Sequence, residues 1–155
     1  MVASLTAPKV LTLDSGNVEG SRKAPINVFR ITVGFADADV LVDANDVYQI
    51  VSVPAGTVVL GVYSRIITAF TATLTADIGD GDDPNGWLAT AKVAPTSAET
   101  AGIYKDPKAA TAEAYAGGKK YLAADTIDVD FGTAAPDAGL MELLIVFADA
   151  TACTT

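Results

Sequence analysis

The chain has 155 residues, with ten Lys and Arg against nineteen Asp and Glu, no histidine and a single cysteine. This is the length of one domain, long enough to bury a core without a metal or a disulfide. The absence of histidine excludes His-based triads, His general bases and imidazole metal sites, and the lone Cys153 excludes an internal disulfide or a multi-thiolate zinc or iron–sulfur site.

Half of the residues are hydrophobic and mean hydropathy is +0.35, too apolar for a disordered chain. The apolar share is mostly small or β-branched, since 28 Ala and 16 Val stand beside 17 Thr. Fifteen of the nineteen acids are Asp, which favours turns and strand ends, whereas Glu favours helices. Both biases point to strands and loops.

Along the chain, residues 1–24 show little periodicity and read as an N-terminal arm or loop, with one short strand over Val10–Leu13. Ile26 to Gly34 alternates as a strand, with Phe29, Ile31 and Val33 on one face. Val40–Val42 is a short apolar run between Asp-rich turns. Val47 to Val53 is a strand closed by Pro54-Ala55-Gly56, a turn in which Gly accepts positive φ. Thr57 to Ile67 is Val- and Ile-rich on both faces and is expected at the centre of a sheet.

Thr68 to Ile78 sets Phe70, Ala72, Leu74, Ala76 and Ile78 against a threonine face. An Asp/Gly/Pro loop follows, then the apolar anchor Trp87-Leu88-Ala89. Residues 92–120 form a soft insert, with a short helix over Lys108–Tyr115 as one reading. Thr126 to Gly132 and Leu140 to Ala148 complete the set, the last apolar on both faces apart from Glu142. Seven to nine strands at this spacing predict an all-β fold, an antiparallel β-sandwich or jelly roll over 25–150, with a tail at 151–155. The expected core holds Phe29, Ile31, Val51, Leu60, Val62, Phe70, Leu74, Ile127, Val129, Ile145 and Phe147.

Net charge of −9 argues against nucleic acid and against anionic membrane surfaces, because the longest basic pairs are Arg22-Lys23 and Lys119-Lys120. The first residues lack a basic, apolar leader and no run approaches 18 apolar residues, so synthesis in a cytoplasm is expected.

One local constellation could carry chemistry. Asp77, Asp80, Asp82 and Asp83 place four carboxylates within seven residues, a hard-oxygen set of the kind that chelates Ca²⁺. Counted from Asp80, however, the fifth position is Pro84 and the twelfth is Ala91, where a helix–loop–helix calcium loop needs Glu. A solvated corner loop with Asx turns explains the acids, and neither a metal nor any other cofactor is expected. Asp37, Asp39, Asp43 and Asp46 straddle a short strand and read as turn carboxylates. Asp128 and Asp130 share one strand face and can raise each other's pKa, but nothing around them suggests a glycosidase. Ser52 and Ser64 have no base, and Cys153 no partner, so no catalytic residue is assigned.

The run Val47–Val62, the stretch Thr68–Leu88 with its threonine alternation and Asp/Gly loop, the segment Tyr121–Val129 and the closing strand Leu143–Phe147 come in an order that resembles small structural proteins of tailed-bacteriophage virions. These are proteins that decorate or cement the head. The resemblance spans about residues 47–147 and carries no functional residues with it. It implies a non-enzymatic cement protein on the capsid surface, a homo-oligomer and specifically a trimer, with the major capsid protein as partner. A head- or tail-fibre module that binds host or carbohydrate is the alternative, and a glycan hydrolase a third reading.

Overall fold

The computed structural model describes residues 4–12, 26–34, 46–70, 74–99, 101, 103–106, 113–133 and 138–149. Within them run β1 (Ser4–Thr12), β2 (Asn27–Gly34), β3 (Asp46–Val53), β4 (Thr57–Thr68), β5 (Thr75–Gly79), the single helical turn α1 (Thr90–Val93), β6 (Lys119–Lys120), β7 (Asp125–Gly132) and β8 (Leu140–Asp149). The Val40–Val42 run and most of the Lys108–Tyr115 helix reading lie outside the described residues, as do Asp37, Asp39, Asp43 and Cys153.

Two four-stranded sheets face each other. Sheet A has the order β1-β3-β7-β5 and sheet B the order β2-β8-β4-β6. The antiparallel pairs are nested: β2 with β8, β3 with β7, β4 with β6, and β5 with Leu88 through a bridge at Ile78. A chain paired in this way is one long hairpin folded over. Pairing of β4 with β8 and of β5 with β7 then closes it into two sheets, which is the jelly-roll topology. One strand departs from the antiparallel expectation. β1 pairs with β3 in parallel, as the excursion through β2 in the opposite sheet permits, because a parallel neighbour needs a long crossover.

The β3–β4 connection forms as its sequence dictates. Thr57 N–H donates to the Pro54 carbonyl at 3.2 Å and Gly56 takes φ 90°, which a side chain would resist. The core lies between the sheets, with Val51, Val53, Ile127, Val129 and Phe131 from one side and Val59, Val62, Ile66, Leu143, Ile145 and Phe147 from the other. Phe29 and Ile31 are only partly buried, because β2 is an edge strand. Leu60 corrects the expected core. The register shifts between Val59 and Gly61, and this bulge switches the inward set from Val59 to Val62, Ser64 and Ile66, leaving Leu60 half-buried on the outer side. A second shift at Ile50 explains why both Ile50 and Val51 are buried.

The insert at 92–120 has a structural role in its described parts. Beyond the two residues of β6, it supplies partners to the exposed edge of β4. Lys105 N–H donates to the Ser64 carbonyl at 2.7 Å, Glu99 N–H to the Ile66 carbonyl at 2.8 Å, and Ile66 N–H donates back to the Glu99 carboxylate at 2.9 Å. Covering that edge satisfies its backbone groups and blocks pairing with other chains. No helix among the described residues is long and apolar enough to cross a membrane.

Candidate functional site

The Asp/Gly loop joins β5 to Leu88, and its ends are held by mutual backbone bonds between Ile78 and Leu88 at 2.8 and 2.9 Å. That closure turns Asp80 inward. Asp80 is 2% exposed and sits at the hub of a polar network. Lys119 Nζ donates to Oδ2 at 2.7 Å, the Tyr121 hydroxyl to Oδ2 at 2.7 Å, and the Tyr115 hydroxyl to Oδ1 at 3.1 Å. The backbone N–H groups of Asp82 and Asp83 add two bonds at 3.1 Å. Burial alone would raise the Asp80 carboxyl, but the hydrogen bonds from Lys119, Tyr121 and the Asp83 backbone outweigh it and hold the group below its ordinary range.

Lys119 is held as tightly. Its ammonium also reaches Asp82 at 2.9 Å and lies over the rings of Tyr115 and Tyr121, at 4.5 and 4.8 Å from their centroids. Burial would lower it, yet the bonds to Asp80, Asp82 and Tyr115 raise it well above the usual lysine range. Trp87, fully buried, donates from Nε1 to the Tyr121 hydroxyl at 3.3 Å and packs edge-on against Tyr115. The network pins the loop to the end of the insert.

The four acids singled out in the sequence therefore do not converge. Asp77 accepts from the backbone and hydroxyl of Thr90 at the start of α1. Asp83 accepts from Asn85 N–H at 3.3 Å, a local turn bond. The structure instead gathers Asp80, Asp82 and Asp125, whose oxygens lie within 4.8 Å of one another, and the Lys119 ammonium bridges the first two. A lysine held by both carboxylates supplies the positive charge that a Ca²⁺ ion would otherwise bring.

A second buried carboxylate was visible in the sequence only as the polar exception in an apolar strand. Glu142, 1% exposed on the outer side of sheet B, pairs with Arg30 Nε at 2.9 Å and Arg65 Nη2 at 3.3 Å, and accepts from the Tyr104 hydroxyl. It fastens the insert across the sheet.

The outer face of sheet A is acidic and less satisfied. Asp77 and Asp130 are direct cross-strand partners, and Asp128 stands opposite Gly79 two residues along β7. Like charges in that position repel. Asp128 is 5% exposed and its Oδ1 has no hydrogen-bond partner. Burial pushes its carboxyl up to about 6, against the lowering effect of a Thr126 hydrogen bond and with help from the charges of Asp125 and Asp80. Burial and then Asp77 raise Asp130 as well. Both acids line a groove of about 320 Å³ with Val47, Gln49, Asp80 and Pro84.

No family model matches the chain, and no curated protein matches it. Solved structures do. A chain of the capsid of Ralstonia phage GP4 superposes with a TM-score of 0.58 at 12% identity, covering 95% of this chain and 98% of that one. A chain of the cyanophage Pam1 capsid asymmetric unit gives 0.53 at 17% identity, covering 88% and 99%. A chain of the acid-stable capsid of Helicobacter pylori bacteriophage KHP30 gives 0.51 at 14% identity, covering 81% and 88%. The chain shares its fold with components of phage capsid structures, as the sequence resemblance to virion structural proteins implies.

Proposed function

We propose that this chain is a structural protein of a bacteriophage virion, a decoration or cement protein that binds the major capsid protein at the capsid surface and stabilises the head. The observation that carries this reading is the match of its jelly roll to a capsid chain over 95% of one and 98% of the other. The body is residues 25–150, to which Ser4–Thr12 of the leading stretch adds an edge strand. Synthesis in the host cytoplasm and assembly as a trimer belong to the same reading.

The chemistry of the interior agrees with a non-enzymatic role. Asp80 and Glu142, the buried carboxylates with cationic partners, hold loops in place. The fibre-module alternative loses support from Trp87, since the single tryptophan is fully buried and offers no face for a sugar to stack on. Purified protein mixed with capsids lacking it should co-sediment and raise their resistance to heat and osmotic shock. Protein that remains in the supernatant and binds host cells or glycans instead would replace this reading with the fibre module.

A further inference from the structure

We propose that the groove on the outer face of sheet A receives an arginine side chain from the protein on which this chain docks. The identity of that partner rests on the capsid reading above, but the groove's preference for a guanidinium does not.

Three features point to a cation with many donors. The groove is lined by Asp80, whose side chain is enclosed, and by Asp128 and Asp130, and its lining contains no lysine or arginine. Asp80 is already neutralised from beneath by Lys119, which leaves Asp128 and Asp130. Asp128, 5% exposed, keeps an Oδ1 with no hydrogen-bond partner, and Asp130, half-buried two residues along the strand, faces the like charge of Asp77. An unpaired buried carboxylate oxygen is costly, and a cation seated in the groove beside it would offset that cost. The remaining charges around it do not supply one. Asp77 faces Asp130 from β5, Asp125 precedes on β7, and β3 contributes Val47 and Gln49.

The geometry selects arginine over a metal ion. Asp128 and Asp130 are two residues apart on one strand face, so their Cα atoms are separated by roughly 7 Å. A planar guanidinium carries five N–H donors on opposite edges and spans two such carboxylates with bonds of about 2.8 Å. Ca²⁺ needs six or more oxygens gathered around one point. Among the described residues the one acidic group gathered that closely is Asp80, Asp82 and Asp125, where Lys119 already sits. Val47 and Pro84 offer apolar surface to the aliphatic stem of the arginine.

The test has two arms. In the first, N-acetyl-arginine amide is titrated into ¹⁵N-labelled protein. Saturable shifts at the amides of Gln49, Gly81, Asp128 and Asp130 are expected, lost in high salt and in the D128N/D130N double variant. Shifts produced by Ca²⁺ and not by the arginine probe would overturn the inference. In the second arm, wild type and double variant are compared for capsid co-sedimentation, with circular dichroism confirming that both are folded. The variant should bind at least about tenfold more weakly. Equal binding of the two overturns the inference and leaves the capsid reading standing. If the wild type fails to sediment while arginine still shifts the groove amides, the groove stands and the capsid reading falls.

Discussion

Replacing Asp128 by Asn should stabilise the free protein at neutral pH and not at acidic pH. In the folded chain burial lifts the Asp128 carboxyl from 3.8 to about 6. A shift of roughly two units corresponds to about 3 kcal/mol of penalty on the ionised form, at 1.36 kcal/mol per unit. The folded value lies above the unfolded one, so the native state binds the proton more readily. The penalty is absent below about pH 4, grows as the pH rises to about 6, and is complete above that. Asparagine carries no charge and escapes it. Its amide N–H₂, placed where Oδ1 now has no partner, leaves an unmet donor worth about 1 kcal/mol. The net gain is about 2 kcal/mol near pH 7.5, or about 4–8 °C in Tm for a chain of this size. Thermal unfolding followed by circular dichroism at about pH 7.5 and about pH 4 reads both values, with the gain vanishing or slightly reversing at the lower pH. A variant less stable than wild type at neutral pH, or a gain equal at both pH values, would refute the reasoning.

Asp80→Ala should lower the unfolding free energy by about 3–5 kcal/mol in urea, because it leaves the largely buried Lys119 ammonium with only the exposed Asp82 as counter-charge and removes the acceptor of Tyr115 and Tyr121; Lys119→Met should be comparably harmful, and a loss below about 1 kcal/mol for both would show that the network does not stabilise the fold. Asp82→Ala, at a side chain 76% exposed, should change stability by less than about 1 kcal/mol. A chelator should leave Tm unchanged, since Lys119 bridges the acids that a metal would use; a chelator-dependent drop that Asp80→Ala abolishes would reveal a bound cation. Gly79→Ala should sharply reduce soluble yield and Tm, because the added Cβ would lie 2.1 Å from the Asp83 carbonyl oxygen and 2.3 Å from the Pro84 carbonyl carbon, backbone atoms that cannot yield; a variant that melts like wild type would show that the loop is loose.

Much of the fold was legible because its strands are long and locally patterned. The Val47–Val53 strand, the Pro54–Gly56 turn and the Leu140 strand follow from alternation and turn chemistry, within a residue or two of β3, β4 and β8. Phe70, Leu74, Ala76 and Ile78 are buried, as the alternation over Thr68–Ile78 implies, although the strand itself begins only at Thr75. Leu60 was misplaced because a bulge changes inside to outside without any mark in composition. The parallel pairing of β1 depends on which sheet β2 joins, a choice made by the whole chain.

The site was legible only in part. The acidic loop stood out as a run of carboxylates, but its chemistry is decided by Lys119 and Tyr121, 39 and 41 residues away from Asp80. The Lys119-Lys120 pair and Glu142 were visible as oddities without partners. Asp128 and Asp130 were read as outward polar residues on a half-buried strand. Their side of the sheet is outward, yet the loop folds over Asp128 and buries it to 5% exposure, which no period-2 pattern can encode.

The proposed role seats this jelly roll on the phage head. Cryo-electron microscopy of capsids with and without the purified chain tests it most directly. Seating on the head predicts extra density at regular positions on the outer capsid surface, fitted by the two sheets of this fold. Density confined to a tail or fibre, or capsids unchanged at saturating protein, would contradict it.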